Sequence, residues 1–154
     1  MPPRHPPLEL DRLFSYRISV LSNRLALGAS RLYGRRFGLV LREWRVLALL
    51  GQFAPMSARD IIERSALDKA SVSRAVASLA ERSLVRTRRD ANDSRLQWLE
   101  LTAKGQRLYS QVAPIALERQ RALLSALTPE ERSTLDRLLG KLTEQIGRLD
   151  TAAR

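Results

Sequence analysis

The feature that most constrains the fold of this chain is the order of patterns between residues 57 and 101. A short amphipathic segment, 57–64, is followed after a turn-length gap by a second helical pattern over 68–82. A basic strand pattern, the turn residues Asp-Ala-Asn-Asp-Ser and a return strand over 95–101 come next. Each part alone is common. The order helix, short turn, helix and basic hairpin predicts a winged helix-turn-helix.

Segment 68–82 has one apolar face and one face of small or polar side chains. Val72, Val76 and Leu79 recur at spacings of four and three, so we expect them to be buried. Asp68 and, for the preceding segment, Ser57 are candidate N-caps, because short polar side chains accept hydrogen bonds from the free amides of a first turn. The face opposite the apolar one carries Ala70, Ser71, Arg74, Ala77 and Ser78.

The hairpin carries an excess of cations. Its basic residues are Arg86, Arg88, Arg89 and Arg95. The acids of its turn are Asp90 and Asp93, which we expect to shape the turn by pairing with Arg89 or Arg95. This balance of charge favours a polyanion over a neutral surface as the partner.

These residues resemble the MarR family of bacterial transcription regulators. The resemblance is carried by Val72-Ser73-Arg74, Leu79, Leu84-Val85 with Arg86, Asp93-x-Arg95 and Leu101-Thr102-x-x-Gly105. The flanking helices match in order and length, so it covers nearly the whole chain. One departure is Ser83, where the family usually has a glycine. Because serine is less stable than glycine in a left-handed conformation, we expect this helix end to be shaped differently.

The resemblance implies a homodimer that binds double-stranded DNA. Ala70 and Ser71 would lie close to base edges in a major groove, and Arg74 would contact a guanine or a phosphate. Arg95, held by Asp93, would enter the neighbouring minor groove. Two-fold symmetry predicts a pseudo-palindromic operator with half-sites about 10 bp apart or a multiple of that. The residues expected to contact phosphates are Lys69, Ser73, Arg86, Arg88 and Arg89.

Apolar stripes at both ends of the chain favour the same dimer. We expect a helix over 8–37, whose apolar residues follow a heptad spacing, and a last helix beginning at Thr128-Pro129-Glu130-Glu131. The stripe of that last helix has no obvious partner within one chain. The predicted organisation is a disordered Pro-rich tail at 1–7, dimerisation helices at 8–37 and 103–154, and a DNA-binding region at 38–102, all in one structural domain.

The first helix also has a basic face. More than half of the net charge of +11 lies in residues 1–54, and Arg17, Arg24 and Arg31 recur every seven residues. A solvated basic face is the simplest interpretation. Phosphate contacts in a dimer and an anion-binding pocket are alternatives that the sequence does not separate.

The second predicted helix, 41–53, contains Trp44, which we expect to pack in the core. The resemblance implies that this helix borders an effector pocket, which Trp44 would line. The corresponding hypothesis is a small aromatic or phenolic acid as effector, with Arg17 or Arg24 as its charged partner.

Composition argues against several other classes of protein. The chain has no cysteine and a single histidine, His5, which excludes disulfides, thiol-based sensing and a His-ligated zinc site. There is no Gly-rich phosphate loop. We therefore expect no enzyme, no metal and no cofactor. No apolar run reaches membrane-spanning length and no signal peptide is apparent, so the cytoplasm is the expected location.

Three functions remain open, and a repressor released by a small molecule is the favoured one. A non-specific architectural DNA-binding protein would show a steep salt dependence and little sequence preference. A specific regulator should prefer its operator by roughly 10³-fold or more. A winged-helix protein-interaction module would have no need of the arginine-rich turn.

Overall fold

The computed structural model describes residues 8–90, 93 and 96–152. Within them the fold is mainly α with a two-stranded antiparallel sheet, the winged helix-turn-helix that the sequence predicts. The chain divides into two compact units, one ending at Val112 and the other beginning at Ala113. The helices are α1 (Phe14–Phe37), α2 (Leu41–Phe53), α3 (Ala58–Ser65), α4 (Lys69–Glu81), α5 (Ala103–Leu124) and α6 (Pro129–Ala152), and the strands are β1 (Val85–Arg89) and β2 (Gln97–Leu101).

The first helix begins later than predicted. We expected it from residue 8, but α1 starts at Phe14, and a short 3-10 helix, Leu10–Arg12, precedes it. Leu13 between them is extended, with φ −71° and ψ 114°. Its N–H closes the 3-10 turn by donating to the carbonyls of Leu10 and Glu9, at 3.0 and 3.2 Å. Leu13 is therefore the N-cap of α1, and its carbonyl accepts a hydrogen bond from the N–H of Arg17 at 3.1 Å.

Helix α5 ends at Leu124, because the N–H of Leu127 turns back to the carbonyl of Leu124 at 3.1 Å. Pro114 lies inside α5 without ending it. Its ring nitrogen cannot donate a hydrogen bond, so this turn of the helix lacks one backbone bond.

The core of the first unit is formed by α2, α3, α4 and the sheet. On α4 the buried residues are Val72, Ala75 and Leu79, whereas Val76, which we expected among them, is only half buried. Ala75 takes its place because steps of three and then four residues return to one side of a helix. The other fully buried large side chains are Leu39, Val46, Leu47, Leu50, Ile61 and Val112.

Helix α4 ends in a motif that requires a left-handed residue. Ser83 has φ 58°, and its N–H donates to the carbonyl of Ala80 at 2.8 Å. The N–H of Leu84 donates to the carbonyl of Leu79, also at 2.8 Å. Both leucines are buried, and together these contacts form a Schellman motif. Our expectation of a different shape was wrong, because these bonds hold serine in the conformation that glycine would adopt.

The strand register decides which wing residues share a face. Val85 pairs with Leu101, Arg86 with Glu100 and Arg89 with Gln97. Because side chains alternate along a strand, Arg89 lies on the face of Val85, and Arg86 and Arg88 lie on the other. The buried Leu99 exchanges two backbone hydrogen bonds with Met56, at 2.8 and 3.2 Å. The wing is thereby attached to the segment between α2 and α3.

Gly105 allows α5 to approach the base of the wing. A Cβ at this position would lie 2.0 Å from the carbonyl oxygen of Leu84. Thr102 begins the helix at this point, since its hydroxyl accepts from the N–H of Gly105 at 3.0 Å and donates to the carbonyl of Ser83 at 2.7 Å. The Leu-Thr-x-x-Gly pattern therefore needs its glycine for a steric reason, because a side chain at this position would collide with the backbone of Leu84.

Replacing Ser83 with glycine should stabilise the chain by about 0.5–1 kcal/mol, because glycine has no Cβ to clash in a left-handed conformation. The matched control is Ser83→Ala, which keeps the Cβ and should bring no gain. Urea denaturation at one fixed protein concentration measures both variants. Equal denaturation midpoints for the two would contradict this account of the helix end.

Candidate nucleic-acid interface

The first turns of α4 present small and polar side chains to solvent. The N-cap Asp68 accepts hydrogen bonds from the backbone N–H and the hydroxyl of Ser71, at 2.8 and 2.6 Å. A guanidinium nitrogen of Arg74 donates to the same hydroxyl at 3.3 Å. One polar chain thus runs from Asp68 through Ser71 to Arg74. The exposed residues around it are Lys69, Ala70, Ser73, Arg74 and Ala77, and Ser71 is half buried.

These contacts favour the charged form of Asp68. The hydroxyl of Ser71, and next its backbone N–H, lower the pKa of Asp68 from its ordinary value. A carboxyl whose folded pKa is depressed contributes stability above its unfolded pKa of about 3.9 and loses it as the pH falls through the folded pKa. The cap is therefore fully formed throughout the neutral range.

The other half of α4 is fixed to α2 through a buried carboxylate. Glu43 is only 5% exposed. It accepts hydrogen bonds from the hydroxyl of Ser78 at 2.5 Å and from the N–H of Val40 at 3.0 Å. The sequence placed Ser78 on the open face of α4, but the hydroxyl turns to α2, where a buried carboxylate requires donors.

Arg82 extends this network to the end of α1. Its Nη1 lies 3.5 Å from Glu43 Oε2 and donates to the carbonyl of Gly38 at 3.0 Å. Its Nη2 donates to the carbonyl of Phe37 at 3.3 Å. The carbonyl of Arg82 itself accepts from Lys104 Nζ of α5 at 2.9 Å. The end of α4 is therefore tied to α1, α2 and α5.

The arginines of the wing differ in their surroundings. Glu100 Oε2 accepts from Nη2 and Nε of Arg86, at 2.9 and 3.3 Å, and Oε1 accepts from Nε of Arg88 at 3.3 Å. Arg86 is the main cause of the lowered pKa of Glu100. Arg89 lies on the opposite face of β1. Its partner in the strand register, Gln97, lies on the same face of the sheet.

Asp90 holds the turn of the wing. It accepts from the indole N–H of Trp98 at 2.7 Å and from the backbone N–H of Asp93 at 3.1 Å. We did not predict the contact with Trp98, although a half-buried indole usually finds an acceptor. Arg95 lies outside the described residues, so its pairing with Asp93 remains a prediction.

A cavity of about 610 Å³ lies between α3, the side of α4 that carries Ser73 and Val76, and the wing. Its apolar lining includes Ile62, Val72, Val76 and Leu99, and its polar lining consists of Arg59, Lys69, Ser73, Thr87 and Gln97. Sequence reasoning missed Arg59, Thr87 and Gln97 because they come from three separate segments. No local pattern shows that they meet at one cavity.

Trp44 is half buried, although we expected it in the core. Its ring lies 5.4 Å from that of Tyr33 and 6.3 Å from that of Tyr109, measured between centroids. Tyr109 packs against Gly51, where a Cβ would lie 2.6 Å from the ring. The three aromatic rings therefore pack together at the side of α2.

Trp44 lines a second cavity of about 310 Å³ between α2 and the end of α3. The cations of this cavity are Arg45 and Arg64, and its other lining residues are Ala48, Leu49, Gln52 and Ser65. Arg17 and Arg24, which we proposed as partners of an anionic effector, are exposed on α1 and do not line it.

Comparison with known proteins identifies the family. The sequence pattern of the MarR family matches residues 37–96. A MarR/EmrR family transcriptional regulator from Acinetobacter sp. ADP1 has 33% sequence identity and a TM-score of 0.87, over 92% of this chain and 99% of that one. The chain belongs to the MarR family.

Two further known proteins extend the comparison. The homoprotocatechuate degradative operon repressor of Escherichia coli is 26% identical over 105 residues, which are 68% of this chain and 71% of the repressor. The S. aureus MepR–DNA complex shares the fold, with a TM-score of 0.78 and 23% identity over 86% of this chain and 98% of that one. The matched family and its named regulators act in transcription and are not enzymes.

The described part of this MarR family chain offers no candidate for a metal site or for a membrane-spanning helix. Among residues 8–90, 93 and 96–152, no cluster of acidic side chains, histidines or cysteines could hold a metal ion. No helix within the same residues is both long and apolar enough to cross a membrane.

Replacing Glu43 with alanine should lower the free energy of unfolding by about 2–3 kcal/mol, because the Ser78 hydroxyl loses its acceptor and Arg82 its counter-ion. Glu81→Ala removes the same charge from an exposed position on α4 and should change stability by less than about 0.5 kcal/mol. Urea denaturation at one protein concentration compares the two. Equal losses of stability in the two variants would show that the change in net charge, and not the buried network, destabilises the chain.

Proposed function

We propose that this chain is a homodimeric repressor that binds a pseudo-palindromic operator in double-stranded DNA. The observation that carries the proposal is the open first half of α4, whose far end is fixed by Glu43 and Arg82. Its small side chains, Ala70 and Ser71, leave no obstacle to a close approach. A helix with such a face fits a major groove and lets short side chains reach base edges.

Arg74 is the residue that we propose as the main reader of sequence. Its guanidinium is held by the hydroxyl of Ser71, which is itself fixed by Asp68. An arginine that is already oriented loses less freedom when it donates two hydrogen bonds to O6 and N7 of a guanine. A contact to phosphate is the alternative for this side chain.

The cavity between α4 and the wing fits one strand of a DNA backbone. A phosphate backbone separates the major groove, where α4 would lie, from the minor groove, where the wing and Arg95 would lie. Donors line both sides of this cavity, with Lys69 and Ser73 on α4 and Thr87 and Gln97 on the wing. We propose Arg86, Arg88 and Arg89 as further phosphate contacts, which position the protein without reading sequence.

Exposed apolar residues support a homodimer. Phe14 and Leu21 of α1 are 55% and 51% exposed, and Ile146 and Leu149 of α6 are 58% and 59% exposed. Helix faces of this kind are stable in water when another surface covers them, and a second copy of the chain would do so. The proposed dimerisation segments remain 8–37 and 103–154. A two-fold axis would place the two α4 helices in half-sites about 10 bp apart or a multiple of that.

The operator can be selected from a pool of random duplexes and measured by fluorescence anisotropy at about 150 mM salt. Arg74→Ala should weaken binding to the selected DNA by roughly 10- to 100-fold, because one base contact is worth about 1–3 kcal/mol. Arg17→Ala removes the same charge from α1 and should change affinity far less.

The other outcomes separate the rival functions. Equal affinity for selected and scrambled DNA, with a steep salt dependence, would support a non-specific architectural protein. No binding to either DNA would support a protein-interaction module. An equal loss in Arg17→Ala would move the DNA contact to the basic face of α1.

We also propose that a small aromatic or phenolic acid releases the DNA by binding beside Trp44. The cavity there has the volume of a small ligand site, with an indole for stacking and two guanidinium groups for a carboxylate. The relative from Escherichia coli represses an operon for degrading homoprotocatechuate, which is an aromatic acid. Within one chain the cations beside Trp44 are Arg45 and Arg64.

Salicylate is a suitable probe of this effector site. It should weaken operator binding by the wild-type protein, and Arg64→Ala should raise the concentration required by about tenfold, since a charged hydrogen bond is worth about 1.5–3 kcal/mol. If Arg17→Ala or Arg24→Ala, and not Arg64→Ala, raises the salicylate concentration required, the anion binds at α1 instead. Unchanged DNA affinity with salicylate and related aromatic acids would contradict the proposal.

A further inference from the structure

We infer that Glu100 limits the affinity of the wing for DNA of every sequence by acting as an internal counter-ion to Arg86 and Arg88. The inference rests on the proposed DNA-binding function. It gives a role to a residue that the sequence patterns did not single out.

The geometry places one carboxylate between two arginines. Oε2 of Glu100 lies 2.9 Å from Nη2 of Arg86, and Oε1 lies 3.3 Å from Nε of Arg88. Both carboxylate oxygens are therefore occupied. The strand register fixes this arrangement, because Glu100 stands directly opposite Arg86 and is diagonal to Arg88.

The three side chains differ in their access to solvent. The side chain of Glu100 is 20% exposed, whereas those of Arg86 and Arg88 are 66% and 55% exposed. A phosphate can reach either guanidinium, but the carboxylate stays beside it. Approach of the phosphate then brings two anions together, or it removes an arginine from a sheltered carboxylate. Both events reduce the gain from the new contact.

Arg74 is restrained less directly. Its own hydrogen-bond partner is the neutral hydroxyl of Ser71, and the carboxylate of Asp68 lies behind that hydroxyl. The two wing arginines, by contrast, donate directly to a carboxylate. Because phosphates are common to all DNA, the acid weakens binding to the operator and to other DNA by the same mechanism.

The test is Glu100→Gln, which removes the charge and keeps an amide oxygen that can still accept from an arginine. At about 150 mM salt it should raise affinity for the selected operator and for scrambled DNA roughly 3- to 10-fold each. The slope of log affinity against log salt should steepen by about 1 to 2, since each of the two arginine charges that Glu100 no longer offsets contributes up to about 0.9 at its phosphate. Glu9→Gln, which breaks an ion pair with Arg12 at the N-terminal turn, loses the same charge and should show neither change.

Further variants distinguish whether Glu100 restrains the two arginines or orients them for DNA. Arg86→Gln should weaken DNA binding more in the Glu100→Gln protein than in the wild-type protein, because without the carboxylate Arg86 meets phosphate with its full charge. A fall in affinity on Glu100→Gln would show that the carboxylate orients the arginines for DNA, and no change would show that they do not meet phosphate. Either result would overturn the inference. Wild-type protein that binds neither DNA would instead refute the proposed function itself. Far-UV circular dichroism of each variant confirms that it is folded.

Discussion

The buried carboxylate of Glu43 is the interaction on which the arrangement of the DNA-binding region depends. A charge with 5% exposure must be paired, since an unpaired one costs several kcal/mol. Its donors are the hydroxyl of Ser78, the guanidinium of Arg82 and the N–H of Val40. Apolar contacts are non-directional and tolerate small shifts of a helix, whereas these bonds do not. One charge thus fixes α4 against α2 and the end of α1.

From this fixed end, α4 extends its first turns into solvent, where different physical requirements apply. Asp68 satisfies the free amides there, and small side chains keep the surface open. The wing shows the same division, because Val85 and Leu99 are buried at its base while Arg86, Arg88 and Arg89 remain exposed. Membership of the MarR family gives this design a biological setting. An anchored helix beside a basic wing is suited to reading DNA.

Local sequence patterns predicted the elements well, because their signals lie within a few residues of one another. The bounds of α2 and the N-cap positions of Ser57 and Asp68 agree with the structure. Hydrogen bonds between residues that are far apart in the sequence were not predictable. Ser78 and Glu43 are 35 residues apart, and periodicity alone placed Ser78 on the open face. The pairing of Glu100 with two arginines likewise follows from the strand register and from no motif. The start of α1 was missed because a 3-10 turn and a helix both accept the apolar residues before Phe14.

In the proposed complex the open half of α4 and the wing together contact DNA. Hydrogen–deuterium exchange of the protein, with and without its selected operator, tests this claim most directly. DNA contact should slow exchange in peptides covering 69–77 and 85–89, and should leave peptides from the basic face of α1, 17–31, unchanged. Slower exchange confined to 17–31, with 69–77 and 85–89 unaffected, would contradict the account and assign the DNA contact to the first helix.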